Sequence, residues 1–214
     1  MEIAKTKKQL LENLLQVADF AGLKNGTLND CAKELGISQG QFEIIAPNGV
    51  LSMVDFWFSL ADDNMAEGLQ ARNSLKIREK AAFAIRARLE FLGQHKEALR
   101  NAIVLLALPS NAKQALAIGY RFADCAWRAF GDTSTDFNHY TKRTMLLGVD
   151  IATAAFYLAD DSIENQETWD FLDRRIENIM QIEKAKAGLN NLFSKIPDPI
   201  PFLAKLRFGA KPMP

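Results

Sequence analysis

The chain has 214 residues, 48% of them apolar, which suffices for one ordinary domain with a substantial core. Lys plus Arg and Asp plus Glu stand at 26 each, so no global positive field supplies non-specific affinity for nucleic acid. No uninterrupted apolar run approaches the roughly 20 residues that span a bilayer, and the opening MEIAKTKKQLLENLLQVADFAGL has neither the apolar block of a signal peptide nor an Arg- and Ser-rich transit composition.

Apolar residues recur at helical spacing almost from end to end, and no segment alternates like a strand, so the expected fold is all-α, with about nine helices. Leu10, Leu11, Leu14, Leu15, Ala18 and Ala21 mark a first helix that stops at Gly22. Thr27 with Asp30 reads as a weak capping box for a short second helix ending at Gly36, and Ser38 caps a short third that ends at Pro47-Asn48-Gly49. Val50, Val54, Trp57 and Ala61 line a fourth; Ile77, Ala81, Ile85, Leu89 and Leu92 a fifth; Leu99, Ala102, Ile103 and Leu106 a sixth, closed by Pro109. Leu116, Tyr120, Ala123, Trp127 and Phe130 mark the inward face of a seventh. The run TMLLGVDIATAAFYLAD is apolar nearly all round, which predicts a central, buried helix. A last amphipathic helix starts near Thr168 and turns Trp169, Leu172, Ile176, Ile179 and Met180 inward. Cys31 and Cys125 form no CxxC pair and read as buried thiols.

Three units follow from these shifts: helix-turn-helix-like N-terminal helices over 1–70, a helical body over 71–187 and a tail over 188–214. Five of the seven prolines fall in the tail, which excludes a continuous packed helix there. Its Phe193, Ile200, Phe202, Leu203, Leu206 and Phe208 interleave with Lys205 and Arg207, a composition suited to an anionic membrane surface; a strap over the bundle is the alternative.

Over LGISQGQFEIIAPNGVL the chain resembles the TetR family of transcriptional regulators, with Gly36 at the turn, Ser38 as cap and Gly40 at the glycine position. Glu43 and Gly49 depart from the aromatic and lysine usual there. From Glu34 to Ala71 there is no Lys or Arg, while Glu34, Glu43, Asp55, Asp62, Asp63 and Glu67 are acidic. Phosphate neutralisation is what a recognition helix needs, so the helix-turn-helix is expected to be vestigial, with no nucleic-acid partner. A TetR-like, ligand-responsive repressor is kept as the alternative function.

A more specific resemblance lies in AFGDTSTDFNHYTKRTMLLGVDIATAAFYLADDS, continued by ETWDFLDRRIENIM. It is similar to the ubiquinone-biosynthesis accessory proteins of the Coq-nine family, through Gly131, Asp132, Ser134 to Asn138, Tyr140, Thr141 and Arg143, then Asp160, Thr168, Trp169, Phe171, Leu172 and Arg175. The resemblance implies a TetR-like bundle without catalytic activity, a homodimer through the last two long helices, and a cavity for isoprenoid lipid. It further implies docking on the demethoxyubiquinone hydroxylase through Leu108, Pro109, Asp136, Asn138, His139, Tyr140 and Arg143, and a tail that meets the membrane. His139 stands where the mitochondrial members usually carry Trp, and Lys142 where Arg is common.

Read without the family, Ser134, Thr135 and Asp136 are helix-capping residues, whereas Tyr140 and Arg143 at i and i+3 share a face at an exposed helix start and suit an interface anchor. The small residues among Leu146 to Phe156 permit either tight packing or room for a ligand, and the family points to Leu147, Ile151 and Phe156 as cavity residues. Asp150 in that helix is expected to pair with an Arg from a neighbouring helix, with a place on the cavity wall as the sharper version. Only His95 and His139 are available as imidazole ligands, and neither lies in a Glu-x-x-His pair, so a di-iron site, any other metal and any cofactor are not expected. With Met1 directly before the first helix, the expected place is the cytoplasm, peripheral on the inner membrane of a bacterium, or the matrix side in a eukaryote.

Overall fold

The computed structural model describes residues 2–133 and 137–193. Among these there is no strand, and nine α-helices follow one another: α1 Glu2–Ala21, α2 Asn25–Glu34, α3 Gln39–Ile45, α4 Val50–Gln70, α5 Ile77–Leu92, α6 Lys96–Ala107, α7 Ala112–Ala129, α8 Phe137–Ala159 and α9 Gln166–Phe193. Two compact units divide the chain, 1–176 and 177–214. The last described helix runs five residues beyond the tail boundary expected at Gly188.

Leu10, Leu11, Leu14, Leu15 and Ala18 form the buried stripe of α1, which packs on α2 and α6; each fully buried leucine contributes roughly 2 kcal/mol. The Ser38 cap of α3 is present as a full capping box: the Gln41 N–H donates to Ser38 Oγ (3.4 Å) and the Ser38 N–H to Gln41 Oε1 (3.1 Å). The Thr27 capping box is not formed. The chain enters α2 at Lys24 with no side-chain cap, and Asn25 is spent elsewhere, its Oδ1 accepting from the Val50 N–H at 2.9 Å. Gly49, with φ of 58°, starts α4 without a side chain of its own, and a Cβ there would stand 2.3 Å from Asn25 Oδ1.

In the body, α4 packs on α5 and α7, α7 on α8, and α5 also on α8. This layer holds the largest buried side chains, among them Phe122, Met65, Ile85 and Leu89. Two expected faces are corrected. On α7 the inward residues are Ile118, Gly119, Phe122, Ala123 and Ala126, while Leu116 (67% exposed) and Tyr120 (40%) face outward. On α8 burial is one-sided: Val149, Asp150, Thr153 and Ala154 are covered, whereas Thr144, Gly148, Ile151 and Ala155 are exposed. Cys31 is buried as expected; Cys125 is only half-buried.

Candidate functional site

A cavity of about 260 Å³ lies between α4, α5, α6, α7 and α8. It exists because the helices meet there with small residues: Ala115 and Gly119 on α7, Ala154 and Ala155 on α8. Leu147 and Ile151 line it, and Ile151, 60% exposed, stands where its wall reaches the surface. At Gly119 a Cβ would come within 2.6 Å of Leu147 Cδ1, so the glycine makes room for that side chain. Phe156 does not line this cavity. One residue past Ala155 is about 100° around the helix, and its ring instead stacks on Phe171 with centroids 4.7 Å apart.

The remaining walls are apolar but for two residues, Arg88 and Asp150. Arg88 Nη1 donates to Asp150 Oδ2 at 2.7 Å and Arg88 Nε to Asp62 Oδ1 at 2.9 Å. Asp62 Oδ2 accepts from Arg121 Nε at 3.0 Å, and Arg121 also pairs with the Asp55 carboxylate. Phe58 and Phe122 bracket the Arg88 guanidinium, at 5.1 and 4.4 Å from the ring centroids. Asp150 thus does both things expected of it, pairing with an arginine and facing a cavity. Burial pushes the Asp62 and Asp150 carboxyls up, with Arg88 opposing, and at Asp150 the neighbouring Asp62 adds to the rise. Oδ1 of Asp150 is buried and has no hydrogen-bond partner. Asp62 also leaves the acidic surface expected between Glu34 and Ala71: α4 carries it into the body, where it is 2% exposed.

At the other end of α7 a second set of ions fixes the corner to α8. Arg143 Nε donates to Asp124 Oδ1 (2.8 Å), and its Nη1 to Asp132 Oδ2 (3.3 Å) and the His139 carbonyl (3.1 Å). Lys142 Nζ donates to Asp132 Oδ1 (2.7 Å) and lies over Trp127, whose Nε1 donates to the Lys142 carbonyl (3.1 Å). The expectation that Arg143 shares an exposed face with Tyr140 is corrected. Arg143 is 2% exposed because those acceptors draw it inward, and Tyr140 alone projects, 62% exposed. Tyr140 packs edge-on against His139 (5.1 Å), and His139 Nε2 meets the Tyr120 hydroxyl at 3.1 Å.

Leu108 (47% exposed) and Pro109 form the α6–α7 turn. Leu116 and Tyr120, on one face of α7 at i and i+4, run from that end toward His139 and Tyr140. The surface strip therefore includes two residues that the sequence reading turned inward. Asp136, the side chains of Asn138 and Phe193, and the tail residues Ile200, Phe202, Leu203, Lys205, Leu206, Arg207 and Phe208 lie outside the described part of the molecule.

The Asp160 and Thr168 of the resemblance form the α8–α9 corner. Asp160 Oδ2 accepts from the Thr168 hydroxyl (2.5 Å) and N–H (2.9 Å), and Oδ1 from the Ser162 N–H (2.8 Å). The Thr168 hydroxyl first, and Ser162 after it, hold this carboxyl below the usual carboxylate range. Trp169 Nε1 donates to the Glu164 carbonyl (2.9 Å), fixing a turn in which Glu164 and Asn165 take φ of 53° and 55°. Among the described residues no group of three His, Cys, Asp or Glu could hold a metal ion, and no single helix is long and apolar enough to cross a membrane.

The fold defines the class. The crystal structure of a TetR transcriptional regulator from Nitrosomonas europaea superposes with a TM-score of 0.65, covering 81% of this chain and 97% of that one, at 17% identity. That likeness establishes a TetR-like, all-helical architecture. Within it the sequence is more particular. The family model described as COQ9 matches residues 112–183. The probable ubiquinone biosynthesis protein coq9, mitochondrial, of Dictyostelium discoideum is 28% identical over 193 residues, covering 84% of this chain and 61% of that protein. COQ9-A of Xenopus laevis is 31% identical over 183 residues (81% of this chain, 57% of that protein), and rat COQ9 36% over 99 residues (46% and 32%). The chain is a relative of the COQ9 ubiquinone biosynthesis proteins, and the Coq-nine resemblance of its sequence is borne out. It spans between about a third and six tenths of the length of these curated relatives.

Proposed function

We propose that the protein is a non-enzymatic, lipid-binding accessory factor of ubiquinone biosynthesis, which presents a polyisoprenoid quinone precursor to the demethoxyubiquinone hydroxylase at a membrane surface. The observation that carries this reading is the apolar cavity whose α7 and α8 walls fall inside the COQ9-matched segment. Interiors are normally filled to crystal-like density, so a void of this size bounded by alanines and a glycine calls for an occupant. At about 260 Å³ it is smaller than the roughly 300–1,000 Å³ of drug-sized sites, so a ring or a short stretch of chain fits, and the rest of a long lipid leaves past Ile151. The strip of Leu108, Leu116, Tyr120, His139 and Tyr140 supplies the docking surface for the hydroxylase, with Pro109, Asp136 and Asn138 beside it. Arg143 serves that surface indirectly, by holding the corner from which Tyr140 projects. The exposed α8 face at Thr144, Gly148, Ile151 and Ala155 suits a homodimer contact, and the tail from Phe193 to Phe208 meets the membrane.

The Dictyostelium and rat relatives named above are mitochondrial proteins by name, which suits the matrix side of the inner membrane; the bacterial counterpart is its cytoplasmic side. The α2–α3 pair serves as scaffold, with Glu34 and Glu43 exposed and no Lys or Arg between Glu34 and Ala71. The test is to purify the full-length protein natively from its own cells and analyse an organic extract by mass spectrometry. A polyisoprenoid quinone or precursor at near one per chain or per dimer is the expected result. A lipid-free protein that retards DNA at physiological salt would overturn the reading in favour of a ligand-responsive repressor.

A further inference from the structure

The cavity carries a charge imbalance that bears on what it holds. Its ion network contains three carboxylates, Asp55, Asp62 and Asp150, against two guanidinium groups, Arg88 and Arg121. Asp55 and Arg121 keep about a third of their side-chain surface in solvent, whereas Asp62, Arg88 and Asp150 are nearly dry. The Cys125 thiol, set against the Asp62 carbonyl at 3.9 Å, is kept neutral by burial and adds no charge. One proton makes the network neutral. Asp62 uses both oxygens as acceptors from arginine, so it has no place for that proton; Asp150 uses only Oδ2. Of the two dry carboxyls only Asp150 has an oxygen free to carry that proton: Oδ1, which is buried and has no hydrogen-bond partner in the protein. The upward push that burial gives the Asp150 carboxyl agrees with this placement.

Resting on the lipid-binding reading above, we propose that Asp150 is the polar recognition residue of the cavity, donating a hydrogen bond from Oδ1 to a carbonyl oxygen of the bound molecule. Arg88 directs Nε and Nη1 to Asp62 and Asp150, and apart from its Nη2 the other described wall residues are apolar. The ligand is accordingly an apolar chain or ring bearing a carbonyl acceptor. A quinone head and the ester of an acyl lipid share that chemistry.

The full-length protein, its Asp150→Asn and its Asp150→Ala variants are titrated calorimetrically with hexyl-1,4-benzoquinone, methyl octanoate and hexylbenzene. Asp150→Asn keeps Arg88 with its amide oxygen and offers N–H₂ in place of the O–H, so it binds the carbonyl probes within about threefold of the parent. Asp150→Ala binds them about tenfold more weakly, the loss of one hydrogen bond in a dry site. Hexylbenzene, which has no acceptor, binds all three proteins alike and shows that the variants are folded. Weakening of both carbonyl probes supports recognition of the shared carbonyl, and weakening of the quinone alone narrows it to a quinone head. Equal affinity of Asp150→Ala and the parent for the carbonyl probes, with hexylbenzene still bound, overturns the role of Asp150 and leaves the lipid cavity standing. Loss in Asp150→Asn as large as in Asp150→Ala overturns the donor assignment, because it would mean that the charged carboxylate acts through Arg88 and gives no hydrogen bond of its own. Failure of all three probes to bind the parent removes the lipid reading itself.

Discussion

Arg88 and Arg143 are both buried arginines held by two aspartates, yet they do different work. Around Arg143 each acid meets two cations: Asp124 also takes Arg128 and Asp132 also takes Lys142, and these pairs lock the α7–α8 corner. Around Arg88 the acids outnumber the bases, and one carboxyl oxygen beside a cavity is left without a partner. A completed network is scaffold, and an incomplete one beside empty space is where a ligand is expected.

Removing the two guanidinium groups separates these roles most strongly. Arg88→Met should cost about 3–5 kcal/mol in urea unfolding at neutral pH, because it strands Asp150 and leaves Asp62 with Arg121 alone. Arg143→Met should cost less, about 2 kcal/mol, since Lys142 and Arg128 remain and Asp124 is already a fifth exposed. The reverse order would mean that the corner, and not the cavity wall, is the electrostatic keystone of the body.

The two titrating aspartates of α8 and its end sharpen the contrast, because their pH dependences run in opposite directions. Asp150 is raised in the folded state, so the native protein holds a proton that the unfolded chain gives up, and stability falls as pH rises above about 4. Asp150→Asn removes that slope, and its stability relative to the parent should improve from pH 4 to 7. Asp160 is lowered, so its contribution is present above about pH 4 and is lost as pH falls through its folded value. Asp160→Asn should be destabilised at neutral pH and draw level with the parent in acid. Thermal melts of the three proteins at several pH values check both slopes, and parallel curves would refute them.

The fold was legible because most of the helices leave a periodic apolar stripe, and the Ser38 cap is chemistry local to four residues. Faces were harder. On α7 apolar residues occupy two sides, and periodicity says that Leu116 and Tyr120 align without saying that Ile118 and Phe122 meet the neighbour instead. The acidic run from Glu34 to Ala71 looked like one surface because a linear window cannot show that Asp62 meets arginines 26 and 59 residues away. Arg143 misled for the same reason: its acceptors lie 11 and 19 residues back, on the far side of a turn. The COQ9-matched run was recognisable as a pattern, yet much of it, Asp132, Arg143, Asp160, Thr168 and Trp169, is corner-holding chemistry whose purpose shows only in three dimensions.

The smallest effect on stability should come from the residue with the most to offer a partner. Tyr140 is 62% exposed and, among the described residues, its ring meets only His139, edge-on, so Tyr140→Ala should shift stability by less than about 0.5 kcal/mol. An aromatic that projects from a rigid corner brings large contact area at low entropic cost, so on the proposed function the same substitution should weaken capture of the proposed hydroxylase partner at least tenfold. Tyr120→Phe tests the support: it removes only the hydroxyl that meets His139 Nε2 and should weaken capture severalfold, with the melting temperature unchanged. If Tyr140→Ala leaves capture intact while Arg143→Met abolishes it at a temperature where both are folded, the partner reads the corner itself, and the exposed strip is ordinary surface.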